Sequence, residues 1–424
     1  MPRTSCFAAS REAAATKSMS TLVQSALKPL AFEEMDQTMG AVVLGGDYQG
    51  LGIVRSLGRK GIPVCVVDDE HSISRYSRYC NRFVKFANLR DERVVVDSLL
   101  ALGKRLHLDG WILYPTRDEL VAALSRHREE LGEVFRVPTP DWETVKWAWD
   151  KRNTYRLARD LDIPIPITHY FESIDELDQL QDVAPPFALK PAIKEHFFYA
   201  TKAKAWLANS HSELRTLFQK ATQLAPTAEI MVQELIPGGG SQQFSYCAFF
   251  RDGEAVGKMV AQRRRQHPLQ FGRASTYVET VDEPILEELS ERFLRAIDYY
   301  GLVEVEYKLD PRDAKYKLLD VNARTWGYHS LGAAAGVDFS YMLYADQMGV
   351  PVPECKGLPG MGWVRSTTDV AASMVAILKG DTSVRDYLRS LRNCNTDAVF
   401  SASDPAPGLA EVALLPYLAV KRGF

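Results

Sequence analysis

Glu306, Asp320, Asn322 and Arg324 are the residues of this sequence whose types and spacing could do chemistry together. Glu306 lies in the run 303–310, and the other three in Leu318-Leu319-Asp320-Val321-Asn322-Ala323-Arg324, with Pro311-Arg312-Asp313 as a turn between the runs. Read as two strands, the stretch puts Asp320 and Asn322 on one face, because side chains alternate along a strand, and sets Glu306 beside them on the neighbouring strand. Two carboxylates and an amide oxygen with a cation at the rim are what hard Mg2+ takes: a few protein oxygens, with phosphate oxygens and water completing the octahedron. The plainer reading is an exposed hairpin with ordinary surface charges, and the stretch alone leaves both open.

The rest of the chain must position this group. At 424 residues it has room for two or three packed units, and its hydrophobic fraction of 46% and charged fraction of 25% are those of an ordinary globular protein. A net charge of -3 gives no electrostatic case for nucleic acid or an anionic membrane as partner. Cys6, Cys65, Cys80, Cys247, Cys355 and Cys394 are scattered without a CxxC pair, which fits a reducing cytoplasm better than a zinc site or disulfide framework. No apolar run is long enough to span a bilayer. Residues 1–38 are small, polar and aperiodic, and are expected to be a disordered tail or a misassigned start, with Met19 or Met39 as alternative starts.

Order is expected from Gly40. A strand, a glycine turn (Gly45, Gly46, Gly50, Gly52), a helix and a second strand at 62–68 form a βαβ unit of a parallel sheet. The glycine spacing is not GxGxxG, so the turn is read as lining a substrate cleft rather than as a dinucleotide fingerprint. A helix at 91–106 and a strand at 110–114 follow. Arg117 and Asp118, just past that strand, are either substrate contacts or a helix N-terminus whose acids suit the dipole. Further on, Asp150 starts a helix and strands are expected at 186–190, 230–236, 243–250 and 255–262. Arg263-Arg264-Arg265 ends the last of these, and a helix at 283–300 leads back to the hairpin. After residue 353 the sequence shows helical patches at 369–378 and 384–391 and a turn at 404–407, with no assigned chemistry.

Taken in order, Asp150-Lys151, Phe187-Ala188-Leu189-Lys190-Pro191, Val232-Gln233-Glu234-Leu235-Ile236-Pro237-Gly238, Glu306 and Asp320-Val321-Asn322-Ala323-Arg324 resemble the ATP-grasp superfamily over about 210 residues, 141–350. The run 263–276 and Arg324-Thr325-Trp326-Gly327 carry a closer resemblance to carboxylate-amine ligases, including D-aspartate ligase-like and carbamoyl-phosphate-synthase-like proteins. The resemblance implies an α/β chain: a Rossmann-like parallel sheet (the pre-ATP-grasp domain, 39–140), an ATP-grasp domain of two α+β subdomains (141–352, with a lid at about 165–230), and a C-terminal extension (353–424).

It also implies roles. Lys151, Lys190 and Arg263 would neutralise ATP phosphates, and Gln233, Glu234 and Ile236 would form the adenine hinge, mainly through backbone groups. Glu306, Asp320 and Asn322 would hold Mg2+, with Mn2+ as a substitute. Arg265 and Arg324 would meet the charge of an acyl phosphate, where preorganised cations act in phosphoryl transfer. Two positions depart from the family pattern. The segment after Lys190 has no glycine, so either Lys194 or Lys202 would replace loop amides or the loop would close differently. The acidic ribose contact is missing, so Gln242 or Gln243 would stand in.

The function expected from the resemblance is ATP- and Mg2+-dependent ligation of a small carboxylate to an amine through an acyl phosphate. Two other readings are a carbamoyl- or carboxy-phosphate-forming enzyme and a non-catalytic ATP-binding partner protein. The scattered cysteines and the charge balance lead us to expect a cytoplasmic protein without nucleic acid or membrane as partner, and the resemblance implies small-molecule substrates and admits a homodimer.

Overall fold

The computed structural model describes residues 39–180, 182–193, 197, 201, 203–267, 274–380 and 382–417. The N-terminal stretch 1–38, Lys194 and Lys202 lie outside them. The described residues build three sheets. The first is parallel, from β1 (Ala41–Leu44), β2 (Val64–Asp68), β3 (Arg82–Lys85) and β4 (Ile112–Pro115), in the order β3-β2-β1-β4. Strands β1, β2 and β4 are wholly buried, and their continuous apolar runs are what a sheet covered on both faces requires. The helix Tyr48–Gly58 starts inside the glycine turn, where the Asp47 side chain caps it by accepting from the Gln49 N–H. The helix Glu92–Leu106 agrees with expectation: Asp91 caps its start and His107, at φ 53°, ends it.

The second sheet is antiparallel, from β5 (Thr168–Tyr170), β6 (Phe187–Pro191), β7 (Trp206–Ala208) and β8 (Ile230–Glu234), in the order β5-β8-β6-β7. The helix His211–Ala221 packs Leu214 and Phe218 onto Phe187, Leu189 and Val232. Each such fully buried side chain contributes about 1.5–3 kcal/mol relative to exposure.

The third sheet carries the opening residues. It runs β13-β12-β9-β10-β11-β15-β16, from β9 (Gln243–Arg251), β10 (Glu254–His267), β11 (Ala274–Val281), β12 (Gly301–Asp310), β13 (Lys315–Asn322), β15 (Gly362–Val364) and β16 (Cys394–Asp397), with β14 (Cys355–Lys356) paired to β10. The helix Pro284–Ala296 buries Leu286, Phe293 and Leu294 against Tyr246, Val305 and Leu318.

Strands β15 and β16 come from the C-terminal segment, which the sequence patterns describe only as helical patches and a turn. That segment extends the large sheet and is also tied to the first one. Asp404, 1% exposed, accepts from Arg55 Nε at 2.9 Å, the Ser77 hydroxyl at 2.8 Å and the Arg78 backbone N–H at 2.9 Å.

Candidate active site

Strands β12 and β13 are antiparallel, with Glu306 opposite Asp320 and Glu304 opposite Asn322. Directly opposed residues share a face, so the three oxygen-bearing side chains come together with Glu304, which sequence reasoning missed. Glu304 stands two residues from Glu306, and the alternation that grouped the others was the signal for it. The Asn322 amide nitrogen donates to Glu306 at 2.9 Å and to Glu304 at 3.0 Å, while its oxygen accepts from Arg324 at 3.2 Å.

Each carboxylate of this face is held. Asp320 pairs with Lys151 at 2.5 Å, Glu306 with Arg263 at 3.4 Å, and Glu304 accepts from the Tyr328 hydroxyl at 2.6 Å. Burial alone would raise the Glu306 carboxyl, but the Arg263 and Lys204 cations outweigh it and hold it at about 2. Glu304 is pushed up to about 7, first by burial and then by the charge of Glu306 beside it. Burial lowers the Lys151 ammonium, yet Asp320 outweighs that and raises it, so Lys151 stays charged.

Among the described residues no three His, Cys, Asp or Glu side chains are grouped for a metal. The candidate set reaches three ligands only through the amide oxygen of Asn322. That suits Mg2+, which keeps water and phosphate oxygens around one or two carboxylates.

Next to this face is one part of the cleft, of about 260 Å3, lined by Lys190, Gln233, Ile236 and Lys308 among others. Tyr155, from the helix Lys151–Asp160, joins its walls: its hydroxyl accepts from Lys190 at 3.2 Å and Gln233 at 3.3 Å, and donates to the Leu319 carbonyl at 3.0 Å. Lys308 holds the hinge by donating to the carbonyls of Ile236 at 2.8 Å and Gly238 at 2.9 Å. The Glu234 carboxylate accepts from the Ile167 N–H and Lys317, each at 2.9 Å, and from Arg312. Its backbone N–H donates to the Ile167 carbonyl at 3.0 Å.

A second part of about 340 Å3 shares Lys190, Gln243 and Leu319 with the first. It is lined by Lys151, Lys204, Arg263, Glu304, Glu306, Asp320, Asn322 and Arg324, and also by Tyr48, Tyr328 and Trp363. The sequence-named residues Lys151, Lys190, Gln233, Glu234, Ile236, Arg263, Glu306, Asp320, Asn322 and Arg324 thus line one continuous cleft.

Arg265 does not. Register shifts between Arg263 and Arg265 and between Arg265 and Gln266 break the alternation of β10. Arg263 faces the cleft, accompanied by Gln243 at 2.6 Å. Arg264 pairs with Glu279, and Arg265 is bound bidentately by Asp369 (2.8 Å to each oxygen) and by the Ser390 hydroxyl, between Tyr277 and Tyr387. The acyl-phosphate role expected for Arg265 is therefore withdrawn: its guanidinium anchors the C-terminal helices.

Arg117 likewise bridges Asp68 and Asp69, each at 2.9 Å, whereas Asp118 pairs with Arg324 at 2.5 Å and lines a small neighbouring pocket that shares Lys151, Asp320 and Asn322 with the cleft. Of the two glutamines offered for the ribose, Gln243 lines both parts of the cleft and Gln242 lines neither. From the glycine turn, Tyr48 and Gln49 line the cleft. Gly45 takes φ 98°, and a Cβ on Gly50 would come within 2.1 Å of the Gly45 carbonyl, so these glycines serve close packing.

This parallel sheet, the small antiparallel sheet and the large sheet with its acidic hairpin make up the ATP-grasp fold. The biotin carboxylase domain of Hydrogenobacter thermophilus 2-oxoglutarate carboxylase, solved as a dimer with MgADP, ADP and bicarbonate, matches it with a TM-score of 0.61 at 13% identity, over 78% of this chain and 74% of that one. No family model matches the chain.

In sequence the chain is similar to ATP-grasp ligases. A D-aspartate ligase of Enterococcus faecium is 25% identical over 298 residues, covering 67% of this chain and 70% of that protein. The arginine-specific carbamoyl phosphate synthase large chain of Halalkalibacterium halodurans is 22% identical over 335 residues, 75% of this chain but 31% of that longer protein.

Proposed function

We propose that this chain is an ATP- and Mg2+-dependent ligase that joins a small carboxylate to an amine, releasing ADP and phosphate. The observation that carries the reading is the register of β12 on β13, which brings Glu306, Asp320 and Asn322 onto one face beside Lys151 and Arg263, in the cleft that Lys190 and the 234–238 hinge continue. The likeness to a D-aspartate ligase and to a MgADP-bound carboxylase domain supports it.

Glu306, Asp320 and Asn322 would hold Mg2+, which when bound neutralises phosphate charge. Lys151, Lys190 and Arg263 would bind the phosphates, with Lys151 leaving Asp320 to do so. Hinge backbone groups at Glu234 and Ile236 would orient the base. Arg324, fixed by Asp118 and Asn322, would hold the substrate carboxylate in line with the γ-phosphorus. A carboxylate oxygen would form a bond to that phosphorus as the bond to ADP breaks. The amine nitrogen would then attack the acyl carbon, phosphate would leave, and the amine would lose a proton to solvent. Positioning and charge complementarity supply the catalysis, so no Ser or Cys nucleophile is required.

The test is Mg2+-dependent ADP release, screened against pools of amino acids and small carboxylic acids. Release that requires one acid and one amine supports ligation. Release with bicarbonate alone would replace it with a carboxy-phosphate-forming reaction.

A further inference from the structure

The wall of the cleft holds a polar atom that the nucleotide and metal roles do not use. Gln49, in the first turn of the helix Tyr48–Gly58, lines the larger part of the cleft and is 8% exposed. Its amide nitrogen donates to the Thr116 carbonyl at 2.9 Å, to the Thr325 carbonyl at 2.6 Å and to the Thr325 hydroxyl at 3.2 Å. Carbonyl oxygens only accept, so the nitrogen must be the atom turned to Thr116 and Thr325, and the amide cannot be flipped. The amide oxygen accepts from no group among the described residues, and it is left to the cleft that the side chain lines.

The place of this oxygen is tied to Arg324. The Thr325 carbonyl that takes the Gln49 amide also accepts from Arg324 Nη1 at 2.9 Å. Arg324 donates its Nε–H to Asp118 and one Nη2–H to Asn322, which leaves one hydrogen on each terminal nitrogen for a substrate carboxylate. One shared carbonyl thus separates the unpaired acceptor from a cation suited to a carboxylate. Solvent serves such an oxygen while the cleft is open. A substrate that displaces solvent must bring a hydrogen of its own or strand a buried acceptor. An amino group meets that demand, and the amide oxygen, uncharged and too weak a base to take a proton, orients the nitrogen without changing its protonation.

We infer that Gln49 Oε1 is the acceptor for an amino group of the substrate, held beside the carboxylate at Arg324. The carboxylate assignment rests on the ligase reading; the unpaired oxygen does not. The amino group is either the acid's own or that of the separate amine to which the acid is joined.

The experiment is calorimetric titration of the full chain with Mg2+ and a non-hydrolysable ATP analogue. One series compares glycine, glycolate, acetate and trimethylglycine, and aspartate, malate and succinate in both enantiomers where they exist. A second adds methylamine or tetramethylammonium in the presence of each acid. If the amino group is the acid's own, an amino acid is expected to bind about tenfold or more tighter than its hydroxy and unsubstituted counterparts, the discrimination that pairing or stranding one buried acceptor supplies. If it is separate, methylamine is expected to bind only with an acid present. Gln49→Met, of nearly the same length, is expected to abolish that preference while acetate or succinate keeps its affinity within about threefold, as independent contacts do. The trimethylated probes keep the charge and remove every N–H, so they test the wild-type chain should Gln49→Met fail to fold. No amino preference in either series, trimethylated probes binding as tightly as those with N–H, or an equal loss of amino and unsubstituted acids in Gln49→Met overturns the inference. Analogue binding with no probe binding overturns the site and leaves the nucleotide reading. An amino preference that Gln49→Met removes while the analogue does not bind keeps the site and removes the ligase reading.

Discussion

The two ends of the cleft are made in opposite ways. At the acidic end, Glu304, Glu306, Asp320 and Asn322 sit within two adjacent strands and are held by charged or hydrogen-bonding partners. At the aromatic end, Tyr48, Tyr328 and Trp363 come from three separate parts of the chain and meet through rings. The polar groups of the first end are paired with one another, Lys151 with Asp320 and Arg263 with Glu306. The rings of the second end are packed on each other. Polar pairing is thus set largely by two neighbouring strands, whereas ring packing joins segments far apart in the chain.

Asp320→Ala attacks the charged end most directly. It removes a proposed metal ligand and leaves Lys151 without its carboxylate, so ADP release is expected to fall by about a thousandfold. Stopped-time ADP assays at saturating Mg2+ check this, and near-normal turnover would remove the acidic hairpin from the chemistry.

Asp404→Ala attacks the support of the other end. It strands the buried guanidinium of Arg55 and should cost about 3–5 kcal/mol in denaturant unfolding. Arg265→Met sharpens the contrast. By leaving Asp369 buried and unpaired it should cost about 3 kcal/mol of stability while nucleotide affinity stays within about twofold. A large loss of turnover without loss of stability would return Arg265 to the reaction.

Lys190→Ala should weaken nucleotide binding by about tenfold to a hundredfold in calorimetric titration, with its fold kept.

The smallest effect is on the acid side of stability. Arg312 and then Lys317 hold the Asp310 carboxyl well below the ordinary carboxylate range, against the effect of burial. A depressed folded-state value gives stability that is present above about pH 4 and lost as pH falls below it. Asp310→Asn should flatten the fall in melting temperature between about pH 4 and pH 2.

How much of this was legible depended on distance along the chain. The hairpin could be read because alternation and a short turn are local, and Glu306, Asp320 and Asn322 fell where the pattern put them. Arg265 was misread because a bulge in β10 reverses the face on which the third arginine emerges, and nothing in three consecutive arginines announces a bulge. Arg117 was left open between two roles because its partners, Asp68 and Asp69, end a different strand. Strand β3 went unseen because its residues are only partly buried and lack a clear apolar alternation. Tyr48 was signalled only by the glycine turn in which it stands, and Trp363 carried no signal at all. Their meeting depends on β15 joining β11, a pairing between residues 277–279 and 362–364 that no local pattern specifies.

The bond between Arg55 and Asp404 spans 349 positions of the chain. A ribosome adding about 5–20 residues per second needs roughly 20–70 s to make the second partner after the first. For that interval the helix Tyr48–Gly58 carries a cation whose mate has not been made. The parallel sheet that this helix covers is thus finished only after most of the chain exists, and a message cut short before codon 404 would release a chain with that helix left unsealed.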